Sequence, residues 1–142
     1  MKGSALAGAA LALTLAATAG HAGPRGDYML ECAGCHLQDG SGMAPKVPDM
    51  RGIIGRMVQL PEGRAYLGRV PGAALSPLND ADLAAVMNWS LKAFAPQSTP
   101  ADFEPYTAEE VARLRSDPIQ KPAKARRELL KALAEAGIDG GG

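Results

Sequence analysis

Large side chains are scarce in this sequence. Aromatic residues make up 4% of the 142 positions: one Trp, three Tyr and two Phe. A small domain with so thin a core usually needs a disulfide, a metal or a cofactor to hold it. Cysteine is scarce as well, and the two present exclude a disulfide framework. Neither sign of charge is in excess: 15 Lys and Arg stand against 15 Asp and Glu. That excludes the basic surface of a nucleic-acid binder and the polybasic face of a membrane-surface protein. No stretch alternates apolar and polar residues with β-branched side chains, so strands are not expected. After the first two dozen residues no long apolar run remains, and no membrane span is expected there.

What is present begins with an address. Met1-Lys2 leads into Ala5 to Ala19, an uncharged run of mostly Ala and Leu, and then Gly20-His21-Ala22. A positive start, a short apolar run and small residues at the cleavage positions have the form of a secretory signal peptide. The run of about 15 residues is short of the roughly 20 that a membrane span needs. A cut after Ala22 is expected, although one after Ala19 also fits and a retained anchor is the plainer alternative. Residues 1–22 are therefore read as signal peptide, and the remainder as a periplasmic chain.

The rest divides by composition. Residues 23–95 hold both cysteines, most glycines and the one Trp. Residues 96–106 contain Pro96, Pro100 and Pro105 and read as an extended linker. Residues 107–142 form a charged, Ala-rich extension with two helical patterns and a final Gly140-Gly141-Gly142. Helices are expected over Asp27 to Cys35, Ala81 to Phe94, Thr107 to about Ser116, and Lys124 to Ala136. In the second, Leu83, Val86, Met87, Leu91 and Phe94 form one stripe, with Asn79 or Asp80 as cap. Thr107-Ala-Glu-Glu110 is a capping-box pattern. Residues 37 to 78 read as loops and short turns, a stretch long enough to need something to wrap around.

One motif carries chemistry. Cys32-Ala33-Gly34-Cys35-His36 is C-x-x-C-H, the attachment pattern for c-type haem. Two thiols three positions apart on a helical turn can add to vinyl groups on one edge of a porphyrin, and His36 then lies within reach of the iron. A thioredoxin-like dithiol would want a preceding strand, and none is visible. Zinc needs four ligands, and beyond residue 22 the chain has no His or Cys apart from these three. An exported Cys32–Cys35 disulfide remains chemically open.

At this point the chain resembles a class I c-type cytochrome over roughly residues 26–95. Three blocks carry the resemblance: Cys32 to Gly42; Val47-Pro-Asp-Met-Arg-Gly-Ile-Ile-Gly-Arg56; and Leu78-Asn-Asp-Ala-Asp-Leu-Ala-Ala-Val-Met-Asn-Trp89. It implies a mostly α, haem-wrapping domain, here with a C-terminal helical tail, and one covalent haem c per chain. Cys32 and Cys35 would be the thioether positions and His36 the proximal ligand. Pro48 would accept a hydrogen bond from the ligand imidazole. Met50 would pack on the haem, Arg56 would meet a propionate, and Leu83 and Met87 would face the porphyrin and the first helix.

The family usually places its second iron ligand, a Met, on the loop before the last helix of the domain. Here that loop, Gly68 to Pro77, has neither Met nor His. Met57 is the leading substitute, other methionines are alternatives, and an open or otherwise ligated iron is a third possibility. Lys46, Arg51, Arg56, Arg64 and Arg69 read either as solvated surface or as charges that meet propionates and steer an acidic partner. The tail is expected to pack back on the domain or to dock on a partner. No nucleophile–base pair is visible, so an enzyme is not expected. The expected function is single-electron transfer between a dehydrogenase donor and an oxidase or cytochrome acceptor. The alternative is a haem-based ligand binder or peroxidase-like protein with an open distal site.

Overall fold

The computed structural model describes residues 23–138. The expected signal peptide, 1–22, and residues 139–142 lie outside the described residues. Among the described residues eight helices follow one another: α1 (Gly23–Glu31), α2 (Ala33–His36), α3 (Ile53–Met57), α4 (Pro61–Arg69), α5 (Pro71–Ala74), α6 (Asp80–Phe94), α7 (Ala108–Arg115) and α8 (Pro122–Glu135). The only β pairing among the described residues is an isolated bridge between Met43 and Val47. The mostly helical class expected from the sequence is what forms.

Local chemistry explains several boundaries. The Asn79 side chain caps α6 by accepting from the Asp82 amide at 2.9 Å. Thr107 caps α7 by accepting from the Glu110 amide at 3.2 Å. The 37–78 region corrects the expectation of loops and short turns, since it holds α3, α4 and α5. Pro61 and Pro71 each open a helix at its first position, where the missing N–H is no loss. The first helix also starts earlier than expected, at Gly23, and its turn is interrupted at Cys32.

Two apolar clusters make the core. The first joins Ile54, Val58, Leu83, Ala84, Leu91 and Ala95 to Tyr106 and Val111. The second sets Met57 against Leu129 and Leu133 of α8, with Ile53, Leu60, Tyr66 and Leu67 around them. Both clusters therefore include residues of the C-terminal extension. Where α1 crosses α6, the rings of Tyr28, Trp89 and Phe94 stand 5.1 to 5.3 Å apart, centroid to centroid. Each such pair contributes about 0.5–1.5 kcal/mol beyond its buried area.

The extension packs back on the domain. Asn88 on α6 brackets Tyr106, accepting from its amide at 2.8 Å and donating to its carbonyl at 2.9 Å. The Tyr106 hydroxyl donates to the Arg64 carbonyl at 2.8 Å. The Arg64 guanidinium lies over the rings of Tyr106 and Phe103, 4.3 and 5.1 Å from their centroids. It also makes a two-pronged pair with Glu110, both bonds at 2.7 Å. Glu110 is thereby drawn to α4, and the expected capping box at Thr107 keeps only the arm that Thr107 supplies.

Leu133 is almost fully buried in the second cluster. Leu133→Ala is expected to cost about 2–4 kcal/mol, read from the midpoint of a denaturant titration. A loss below about 0.5 kcal/mol, the usual size for a surface position, would show that α8 does not dock as described.

Candidate functional site

The C-x-x-C-H segment is a single helical turn. The Cys35 and His36 amides donate to the Cys32 carbonyl at 3.1 and 3.0 Å, and the Leu37 amide to that of Ala33 at 2.9 Å. Both cysteines are free, Cys32 half-buried and Cys35 exposed. Burial and the neighbouring Glu31 charge push the Cys32 thiol up to about 11. Reactive dithiols depend on the opposite shift, so this thiol is a poor fit to thioredoxin-like exchange. Among the described residues, no three His, Cys, Asp or Glu side chains gather as a metal-ion group. The zinc reading therefore lacks its donor set.

Immediately after His36 the chain turns back through Leu37, whose φ of 60° and ψ of 168° are essentially a glycine's conformation. Strain of about 1–3 kcal/mol is typical of such a residue and persists only where the surroundings enforce it. Here they do. The Tyr28 hydroxyl, buried and held protonated with its pKa pushed up to about 12, donates to the Leu37 carbonyl at 2.7 Å. The Gly42 amide then returns to the His36 carbonyl at 3.0 Å, and the Met50 amide to that of Gly40 at 2.9 Å.

This folded-back loop brings Pro48 to His36. Burial lowers the imidazole pKa, and the Pro48 carbonyl, as a hydrogen-bonding neighbour, opposes that shift. Nδ1 is buried and has no partner at bonding distance and angle. Leu30, Leu37 and Met43, three of the four exposed large apolar side chains among the described residues, lie in the stretch around the motif. A macrocycle tethered at Cys32 and Cys35 would cover such side chains. The free thiols, the half-buried imidazole and this apolar surround all fit a covalently held porphyrin.

The other expected residues are distributed as follows. Arg56 is half-buried on α3 with its Nε out of solvent. Met50 and Met87 are partly buried against the first cluster, and Leu83 lies within it. Met57, the expected second ligand, lies in the second cluster. It is 2% exposed and packed among Leu129, Leu133 and their neighbours. Arg51 is bound to Asp49 at 2.6 Å, Arg64 to Glu110, and Arg69 to Asp117. Arg51, Arg64 and Arg69 thus each have an acidic partner within the chain.

Two features escaped the sequence reading. One is the strained Leu37, since no local signal marks a Leu for positive φ. The other is the cradle at Gly42, which has a φ of +69°; a Cβ there would lie 2.5 Å from the Val47 carbonyl oxygen and 2.6 Å from that of Pro48. Its signal was the glycine-rich exit after the motif, though not the partner. Gly42→Ala is expected to destabilise the protein by about 2–4 kcal/mol, from the backbone conformation and the crowding together. Thermal or denaturant unfolding checks this, and an unchanged midpoint would remove the cradle from the account.

Two known proteins are similar to this chain. Cytochrome c-552 of Thermus thermophilus is 30% identical over 104 residues, covering 61% of this chain and 79% of that protein. A second cytochrome c-552, from one particular strain of the same organism, is also 30% identical over 104 residues, covering 61% of this chain and 70% of that protein. No family model matches the chain, and no solved structure matches it.

Proposed function

We propose, from the premise that this chain belongs to the class I c-type cytochromes, that it is an exported carrier of single electrons. Membership implies a covalent haem c, and Cys32 and Cys35 fit the attachment pattern. In this reading one haem is joined to those two sulfurs and His36 is the proximal ligand. Pro48 orients the imidazole through its carbonyl, and Arg56 meets a propionate. When bound, the haem supplies a one-electron ferric–ferrous couple. The chain's own task is to hold that couple fixed and shielded. The loop from Leu37 to Gly52 braces the proximal side, and the aromatic crossing of α1 on α6 keeps the motif in place.

The observation that carries the proposal is a pair of free thiols on one helical turn, followed at once by a half-buried imidazole that meets the Pro48 carbonyl. Export to the periplasm follows from the form of residues 1–22. No helix among the described residues is long and apolar enough to cross a membrane. The partners in this reading are a dehydrogenase donor and an oxidase or cytochrome acceptor.

A second reading, a haem-based ligand binder or peroxidase-like protein, is favoured by one observation. Met57 is engaged with α8, and the α5–α6 loop has no Met or His to serve as second ligand.

Intact mass and paired ferric and ferrous spectra test both readings on protein made with the cytochrome maturation machinery. The expected mass is the chain plus one haem, surviving denaturation; a chain mass with two free or mutually bonded sulfurs would refute haem attachment. Slow carbon monoxide binding by the ferrous form is expected for the carrier. Rapid, complete binding would instead establish the open-site reading. His36→Ala is expected to retain the thioether-bound haem while altering the ferrous spectrum, and an unaltered spectrum would remove His36 from the iron.

A further inference from the structure

Charge on α4, α6 and α7 follows one rule, and α8 breaks it. A helix is favoured by acids in its first turn and cations in its last, because its free amides face one end and its free carbonyls the other. Helix α4 opens with Glu62 and ends with Arg69, and α6 opens with Asp80 and Asp82 and has Lys92 in its last turn. Helix α7 opens with Glu109 and Glu110 and closes with Arg113 and Arg115. Helix α8 has no acid in its first turn and no cation in its last. Lys121 stands at its N-cap without a side-chain capping bond, Lys124, Arg126 and Arg127 lie in its first half, and Glu135 is its final residue.

Nothing within the described residues offsets this reversal. Other cations are engaged inside the chain: Arg51, Arg64 and Arg69 each hold an acid, and Arg115 donates to the carbonyls of Ala74, Ser76 and Leu78. Lys121 and Arg127 have no ion pair among the described residues. Lys124 and Lys131 meet Glu128 and Glu135 at 3.6 Å, but these four side chains are 64–78% exposed, where such pairs hold loosely. Lys121, Lys124, Arg127 and Lys131 follow at spacings of three, three and four, so they share one face, and all four are exposed. Residues 121–138 carry five Lys and Arg against two Glu, whereas residues 23–120 carry nine against twelve Asp and Glu. A chain that is neutral as a whole thus concentrates positive charge on one helix face.

The chemistry of that face selects its partner. Leu129 and Leu133, on the apolar side of α8, are buried in the second cluster, so the helix has no apolar face left to lay into lipid. Two glutamates stand among its cations, unlike the uniformly basic clusters that bind lipid headgroups. A face of mixed sign with a positive excess fits another protein. We propose that the exposed face of α8 is a docking surface for a carboxylate-rich face of a partner protein, in the carrier reading given above. Long-range attraction speeds the encounter, and solvated charges separate readily, as a carrier that leaves one partner for the next requires.

The test uses the full haem-loaded protein, with poly-L-glutamate as the acidic probe. Binding is read from backbone amide shifts and from the dissociation constant at about 0.01 and 0.15 M salt, where the screening length falls from about 30 to 8 Å. Wild type, Lys121→Asp, Arg127→Glu and, as control, Lys46→Glu are compared; Lys46 is exposed on the loop after the motif. Shifts are expected on α8, with affinity at least about tenfold weaker at the higher salt. Lys121→Asp and Arg127→Glu should each weaken binding severalfold, and Lys46→Glu should not. Lys121→Asp should also raise the thermal midpoint, because an Asp at the N-cap supplies the missing cap and suits the dipole. Shifts around the C-x-x-C-H turn in place of α8, an equal loss in Lys46→Glu, or a lowered midpoint in Lys121→Asp would overturn the proposal. Tighter binding to vesicles of phosphatidylglycerol and phosphatidylcholine than to poly-L-glutamate would overturn it as well. An absence of attached haem in the wild type would instead refute the carrier reading, and the α8 shifts would still decide the docking surface.

Discussion

The crossing of α1 on α6 is the constraint on which the rest of the structure depends. Tyr28, Trp89 and Phe94, half of the aromatic residues in the chain, meet there. The crossing does more than bury rings. Tyr28 sends its hydroxyl to the Leu37 carbonyl, one residue beyond the C-x-x-C-H turn. Phe94 accepts the Gly52 amide at 2.8 Å on its carbonyl, and a Cβ on Gly40 would lie 2.9 Å from its ring. Both ends of the loop that brings Pro48 to His36 are therefore anchored in the same aromatic contact. A strained Leu37 can persist because its neighbours on each side are held.

A second aromatic contact performs the same office for the extension. Tyr106 and Phe103 lie beneath the Arg64 guanidinium, and Arg64 reaches on to Glu110. Arg64 and Glu110 are only about a fifth exposed, which favours their pairing over the loose pairs at the surface. The consequence is a tail that completes two apolar clusters rather than an appendage. Met57, which looked available to an iron, is taken up by this docking. The same docking places Arg115 against the α5–α6 loop, so a segment remote in sequence reaches one side of the cofactor domain.

Much of the site could be read without the structure because its chemistry is local. The spacing of Cys32, Cys35 and His36 needs only one helical turn, and one turn is what forms. The stripe from Leu83 to Phe94 and the caps at Asn79 and Thr107 are likewise properties of short windows. Where a second segment decides the outcome, local reading failed. Glu110 fits a capping box by spacing, yet its carboxylate goes to Arg64, because a guanidinium held against two rings is a stronger donor than a backbone amide. The 37–78 stretch read as loop because its helices are short and two of them open on proline.

By itself the sequence determined the helical class, the attachment motif and the family resemblance, because each follows from residue types at fixed short spacings. Tertiary structure alone decided that Met57 belongs to the tail contact, that Glu110 pairs with Arg64, and that Arg115 holds the 74–78 loop. Those are meetings between segments distant in the chain, and their outcome depends on which buried groups satisfy one another once the helices have packed.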